Sequence, residues 1–317
     1  MYKRLDELDL SKCVGTTQYF SALIDNSEIK NSKSGPFLAL SVRSRLSEYT
    51  VRFWQTTLTE KTASNLVGSV ADFHVKVKVW DDKLSLEGIS YEIINMPSSD
   101  FVAQDSNSEQ TWKSINSLLL NKCSDGILLK LTLYILEILE EQFRYAPAAK
   151  SIHHPYQGGL AVHTLEVMRA ASAVGEVFNS NQDLILCGSC LHDIGKILEL
   201  LSNNLGAIDY TLNGNLLGHC YMGVNIIDMA VNHMDLNLTT EDSLKVKCLK
   251  HVILSHHGNE ANTAVQPAMM ESWIIHYADM LSFHNYLFQT NTGSSSVDEV
   301  TVKWINNELF KFFKLPK

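Results

Sequence analysis

Leu191-His192-Asp193-Ile194-Gly195-Lys196 sets an imidazole beside a carboxylate with an ammonium close behind, and His163 upstream and Asp279 downstream extend the set. Residue types of this kind suit metal-assisted phosphoester hydrolysis. Neighbouring side chains leave a helix about 100° apart, so His192 and Asp193 reach one cation only where a helix face turns into a cleft. Lys196 follows one turn later, near enough to meet an anionic substrate.

The histidines cluster in the pattern as well. His163, His192, His219, His256 and His257 recur at the ends or inner faces of successive expected helices, flanked by glycine or small residues. A single helical histidine is usually a hydrogen-bonded core or surface group, but five in register point to one shared site. Imidazole and carboxylate together favour Mn²⁺, Fe²⁺, Co²⁺, Ni²⁺ or Zn²⁺ over a purely oxygen-seeking ion, and spacing does not choose among them. We assign one cation to His163, His192, Asp193 and Asp279, with Asp193 bridging to a second held by His219 and His256. Two ions about 3.5–4 Å apart activate water and clamp both oxygens of a phosphoryl transfer.

The elements that must position these residues fall into two groups. With 317 residues and 45% apolar content the chain has material for two cores. From about Val14 to Ile94 the pattern has period two, clearest in Phe73 to Trp80, with earlier strands at Phe37 to Val42 and Tyr49 to Phe53 and a turn at Asp81-Asp82. Short strands with polar turns suit an OB-like barrel at residues 12–96. Residues 97–146 read as a polar linker and connecting helices. The connecting helices are expected over Trp112 to Leu120 and Ile127 to Phe143, and an all-α bundle follows at 147–290, with helices over Leu160 to Phe178, Leu184 to Leu201, Leu216 to Val231, Ser243 to Ser255 and Met269 to Leu287. Residues 291–317 read as a break at Gly293 to Ser296 and an amphipathic helix carrying Trp304, Ile305, Leu309, Phe312 and Phe313, docked on the bundle or on a second subunit.

Composition excludes other classes. No apolar run approaches the length of a bilayer span and none follows Met1-Tyr2-Lys3-Arg4, so a soluble, cytoplasmic protein without membrane partners is expected. The net charge of −9 argues against coating nucleic acid by bulk attraction. Cys187 and Cys190 form a lone CxxC with no second pair to complete a zinc site, and read as small residues packed along a core helix in a reducing setting.

His163, His192-Asp193 and Asp279 match the H…HD…D signature of the HD-domain phosphohydrolases. The chain resembles one branch of them, the YhaM-type 3′→5′ exoribonucleases, through Pro147-Ala148-Ala149-Lys150, His153-His154, Gly158-Gly159-Leu160 leading to His163-Thr164, Gly218-His219, and Ser255-His256-His257-Gly258 with Glu260. An OB barrel before an HD domain is also that branch's layout. The resemblance implies a manganese-activated enzyme that trims single-stranded RNA, or DNA, from the 3′ end and releases nucleoside monophosphates, and it leaves homo-oligomerisation open. The branch's usual barrel turn is replaced by Asp81-Asp82-Lys83. A second reading is an HD nucleotidase or cyclic-dinucleotide phosphodiesterase whose barrel binds a protein or a small ligand.

Individual roles follow. Asp193 and Lys196 belong to the catalytic set, Lys196 pairing with a non-bridging phosphate oxygen or capping its helix. His257 contacts substrate, protonates the leaving 3′ oxygen or orients His256. His153 and His154 are expected on a loop at the cleft mouth, with Lys150 holding the phosphate backbone. His276, one turn before Asp279, reads as a supporting histidine. On the barrel, alternation gives His74, Lys76, Lys78 and Trp80 one face and puts Arg52 and Trp54 together on another strand. That face either tracks a single strand and stacks its bases or is an ordinary solvated surface.

Overall fold

The computed structural model describes residues 2–45, 47–80, 83–259, 263–292, 300–305 and 308–314. The expected turn at Asp81-Asp82, the Glu260 match and the break at Gly293 to Ser296 lie outside them. The chain divides into two compact units, one running to Gln104 and including Ser202–Ala207, the other comprising Asp105–Leu201 and the chain from Ile208 onward.

Alternating β-branched and aromatic residues build the first unit. Strands β1 (Thr17–Ser32), β2 (Gly35–Ser44), β3 (Ser47–Trp54), β4 (Val70–Trp80) and β5 (Lys83–Ile94) close into a barrel in the order β1-β2-β3-β5-β4. Among the described strand pairs of the barrel only β3–β5 is parallel. A bulge near Asp25 lets the long β1 pair with β4 through Thr17 to Leu23 and with β2 from Leu23 onward, which bends one strand across two faces. A short helix α1 (Glu60–Ser64), capped by Thr59, joins β3 to β4. Inward positions bury Phe20, Leu40, Val51, Phe73, Val75, Val77 and Leu86, each burial contributing about 1.5–3 kcal/mol for a large side chain. The barrel takes in more chain than residues 12–96. Leu5 and Leu10, on two 3₁₀ turns before β1, are buried in its core, and Phe101 caps a smaller cluster with Leu23 and Val70.

Helices form the second unit: α2 (Ser108–Lys122), α3 (Gly126–Ile138), α4 (Glu140–Tyr145), α5 (Gly159–Val177), α6 (Gln182–Leu191), α7 (Lys196–Glu199), α8 (Leu212–His233), α9 (Thr240–Ser255) and α10 (Met270–Thr292). Their starts follow from capping chemistry. Asp125 accepts from the backbone of Ile127 and Leu128, Asn181 from Leu184, Thr211 from Gly214, and Thr239 forms a capping box with Asp242. Their apolar faces merge in one core containing Leu131, Ile135, Leu160, Val167, Ile185, Leu191, Leu249 and Ile275, and Cys187 and Cys190 are packed in it as free thiols. Among the described residues no helix is long and apolar enough to cross a membrane.

Three expectations are corrected. The run Ile127 to Phe143 breaks at Leu139, whose φ of −115° and ψ of 15° end α3 before α4 begins. Leu184 to Leu201 is interrupted at 192–195, so the His-Asp pair lies on a turn rather than mid-helix, and Leu200–Ser202 pairs with Ile208–Tyr210 as the β6-β7 ribbon. The C-terminal segment is a hairpin of β8 (Val300–Ile305) and β9 (Glu308–Phe313), not an amphipathic helix. Its valines and aromatics fit a pleated strand, and Phe312 is fully buried against Phe288 of α10, an anchor that period two allows.

Candidate metal centre and cleft

Each side chain assigned to the metal centre owes its place to a local backbone feature. His163 lies on the first turns of α5. After α6 the chain tightens, with Ile194 N–H donating to Leu191 C=O at 3.1 Å and Lys196 N–H to Asp193 C=O at 2.9 Å, so His192, Asp193 and Lys196 all turn inward. Gly195 touches the backbone of α8 so closely that a Cβ there would lie 2.0 Å from His219 O. Gly218, at φ 71° and ψ 158°, kinks α8 one residue before His219, a conformation only glycine adopts readily. His256 caps α9, and Asp279 stands on α10.

The Nε2 atoms converge while the Nδ1 atoms are tied outward. His163 Nδ1 meets Ser282 Oγ at 2.9 Å, His192 Nδ1 meets Ser189 O at 2.7 Å, His219 Nδ1 meets Glu199 at 3.0 Å and His256 Nδ1 meets Ile253 O at 2.8 Å. Asp193, 2% exposed, divides its carboxylate between two groups. Oδ2 is 3.4 Å from His163 Nε2 and 3.3 Å from His192 Nε2, and Oδ1 is 3.4 Å from His219 Nε2 and 3.6 Å from His256 Nε2. Asp279 Oδ1 adds a contact to His163 Nε2 at 3.2 Å. Neither Asp193 oxygen receives a directed hydrogen bond, although the Lys196 ammonium lies 2.7 Å from Oδ2 as an ion pair. A buried carboxylate without a directed hydrogen bond to either oxygen, ringed by imidazole nitrogens whose far sides are fixed, fits divalent cations. Among the described residues two groups are able to hold a metal: His163 with His192 and Asp193, and His219 with Cys220, His256 and His257.

The field in the cluster favours positive charge. Burial alone would push the His163 imidazole down, but Asp193 and Asp279 outweigh it and bring it up to about 9. Burial is likewise overcome at His219, where Cys220, Glu199 and Asp193 raise it to about 10. Burial opposes ionisation of Asp193, yet Lys196 and His192 hold it well below the usual carboxylate range. The Lys196 amine is raised by Asp193 and Asp279 against its own burial. Burial dominates elsewhere: His257 is held at about 3, His153 at about 2 and His154 at about 3, all neutral. Protons drawn onto His163 and His219 occupy the places that cations would take, and metal binding would release them.

A family model for the HD domain matches residues 160–283. That stretch of the chain is an HD domain. With two groups among its described residues able to hold a metal, the chain is a phosphohydrolase. It is similar to the 3′-5′ exoribonuclease YhaM of Geobacillus sp. (strain WCH70), 29% identical over 261 residues that cover 79% of this chain and 76% of that protein. It is also similar to the 3′-5′ exoribonuclease YhaM of Listeria monocytogenes serotype 4b (strain CLIP80459), 28% identical over 295 residues, or 89% of this chain and 88% of that one. Among solved structures, the second OB-fold domain of replication protein A from Methanococcus maripaludis aligns with 30% of this chain and 97% of that chain, at 13% identity and a TM-score of 0.22. The OB-like character of the barrel is read from its strand order, not from that likeness.

Above the metal centre of the HD domain a cleft of about 770 Å³ opens, floored by His153, Lys196, His219, His256, His257 and Asp279. Lys150 lines it too, with its ammonium 2.7 Å from Asp209. His154 differs from its expected place at the cleft mouth. It is 3% exposed, packs on Tyr286 at 4.6 Å and points Nε2 toward Glu166 at 3.7 Å, because a positive φ of 46° turns it inward. His276 supports the centre from behind through the His256 carbonyl at 2.8 Å.

On the barrel, His74, Lys76, Lys78 and Trp80 alternate with buried Val75 and Val77 on β4. Arg52 donates to Ser85 Oγ at 3.2 Å, Lys78 pairs with Glu87, His74 stacks on Tyr19 at 4.1 Å and Trp54 packs on Phe37 at 4.8 Å. Trp80 is 79% exposed.

The sequence reading missed the outer supports. Glu199 holds both the backbone N–H and Nδ1 of His219, and Ser282 links His163 to Glu166 at 2.6 Å. Cys220 was also not singled out. The available signal was helical spacing: Glu199 lies one turn beyond Lys196, Glu166 three residues beyond His163 and Ser282 three beyond Asp279.

Proposed function

We propose that this protein is a metal-dependent 3′→5′ exoribonuclease that hydrolyses the terminal phosphodiester of single-stranded RNA, with single-stranded DNA as a secondary substrate, and releases nucleoside monophosphates in the cytoplasm. The observation that carries the reading is the buried Asp193 carboxylate, its two oxygens divided between two histidine groups beneath an open cleft. Similarity to the YhaM proteins over most of the chain supplies the substrate class.

His163, His192, Asp193 and Asp279 would hold one divalent ion, and His219 and His256 the other, with Asp193 shared. Manganese is the proposed metal, with iron, cobalt, nickel and zinc as the competitors the donor set admits. Such ions supply Lewis-acid polarisation of the phosphoryl group and lower the pKa of water to near neutrality. The chain's own residues do the rest. Lys196, charged and at the cleft floor, offers its ammonium to a non-bridging phosphate oxygen. His257, kept neutral, completes the group around His219, whose Nε2 lies 3.0 Å from its own. His153 and Lys150 bound the cleft where the adjoining phosphate would pass. On the barrel, Trp54, Trp80 and His74 would stack bases while Arg52, Lys76 and Lys78 follow the backbone.

The cleft volume also falls in the range of small-ligand pockets, which favours a nucleotidase or cyclic-dinucleotide phosphodiesterase as the second reading. Incubating the protein and Mn²⁺ with 5′-labelled RNA separates the two. A descending ladder from the 3′ end, absent in His192→Ala, is expected. Turnover of nucleotides or cyclic dinucleotides with no ladder contradicts the proposal.

A further inference from the structure

One wall of the cleft has no part in holding ions. Phe283 stands on α10 four residues beyond Asp279, hence on the same helix face about 6 Å further along the axis. It meets His153 edge-on at 5.4 Å and lines the cleft with Met280. The C-terminal hairpin completes this wall with Ile305 and Phe310.

The hairpin's placement explains why Phe310 is available. Along β9, Glu308, Phe310 and Phe312 share one face by the two-residue period of a strand. Phe312 is the anchor, fully buried and 5.1 Å from Phe288. Phe310, stacked against Phe312 with centroids 6.1 Å apart and the same distance from the His284 ring, is only partly buried and faces the cleft. Glu308 carries the same face to the rim. A polar, cation-seeking floor thus adjoins an apolar aromatic wall within one cavity. A phosphate on the floor leaves an attached planar, weakly polar group beside the wall, and a nucleobase has that chemistry.

We propose that Phe310 of the C-terminal hairpin, with Phe283, forms a stacking subsite for the base of the 3′-terminal nucleotide. The inference rests on the exonuclease reading and deepens it. Stacking on an aromatic ring tolerates any base but requires one, so the subsite selects base-bearing ends over abasic ends without selecting sequence.

The test compares RNA ending in adenosine with the same RNA ending in an abasic ribose, both with Mn²⁺. The wild-type protein should prefer the base-bearing end about tenfold or more in kcat/KM, within the range of a single base stack. Phe310→Ala should reduce that preference to about twofold or less, and Phe310→Trp should restore it. An active Phe310→Ala that keeps the wild-type preference overturns the subsite. A wild-type protein that trims neither RNA would sink the exonuclease reading instead, so a second measurement is independent of trimming. In Phe310→Trp loaded with Mn²⁺, adenosine 5′-monophosphate should quench fluorescence beyond the change seen in wild type, and ribose 5-phosphate should not. Equal responses to the two ligands, or none, overturn the subsite.

Discussion

The metal centre of the HD domain and the outer face of the barrel both carry histidines and cations, but they are built in opposite ways. In the centre, His163, His192, His219 and His256 each have Nδ1 fixed and Nε2 committed, and Asp193 is nearly sealed from solvent. On the barrel, Lys78 and Arg52 lean on Glu87 and Ser85, and Trp80 stands free at 79% exposure. Preorganised dipoles in a dry site act strongly on a reacting group, whereas exposed charges are screened and adjust to whatever passes. The contrast fits the proposed division of labour, with chemistry in the first region and capture of the strand in the second.

The largest expected effect comes from removing the carboxylate proposed to be shared by both metals. Asp193→Asn should abolish hydrolysis and lower the bound metal measured by elemental analysis, while the fold, followed by circular dichroism, persists. Retention of two tightly bound ions in that variant would contradict a bridging carboxylate. Next is the outer support: Glu199→Ala should weaken metal affinity roughly 10–100-fold by calorimetry, because His219 loses the acceptor that orients it. An unchanged titration would mean that Glu199 serves packing alone. On the barrel the effect should be smaller and of another kind. Trp54→Ala should raise KM for long RNA about tenfold, in line with one lost stack, and leave kcat unaffected. A fall in kcat with constant KM would break the division of labour.

The least dramatic prediction concerns pH. In the metal-free protein His153, His154 and His257 stay neutral, held by burial at about 2, about 3 and about 3, while the unfolded chain takes up protons below about 6.5, so stability falls as pH drops below that value. His163 and His219 are raised to about 9 and about 10, so their contribution is complete below about 6.5 and is lost as pH rises through those values. The melting temperature should peak near pH 6.5, and Mn²⁺ should raise it most on the alkaline side. A metal-free protein that gains stability steadily up to pH 9 would contradict this charge assignment.

How much of this was legible varies with the physics of each feature. The barrel showed itself because valines alternating with His74, Lys76 and Lys78 leave one reading for a half-buried strand. The clustered imidazoles and acids showed themselves because imidazoles beside acids are rare in helix patterns. Glu199, Glu166 and Ser282 did not, since such residues on a helix are ordinarily solvated and only the fold reveals which imidazole they face. The break at 192–195 was hidden because its backbone stays near helical angles while Gly195 lets α8 approach. The C-terminal hairpin was misread because Trp304, Ile305, Leu309, Phe312 and Phe313 match a helical stripe as well as strand alternation, and short apolar runs do not separate the two periods.

The most direct test of the account is the electron paramagnetic resonance spectrum of metal-free protein titrated with Mn²⁺. We expect two equivalents to bind and the spectrum to become that of an exchange-coupled pair, with the coupling lost in Asp193→Asn. Saturation at one equivalent, or two ions that never couple, would contradict a centre organised around one shared carboxylate.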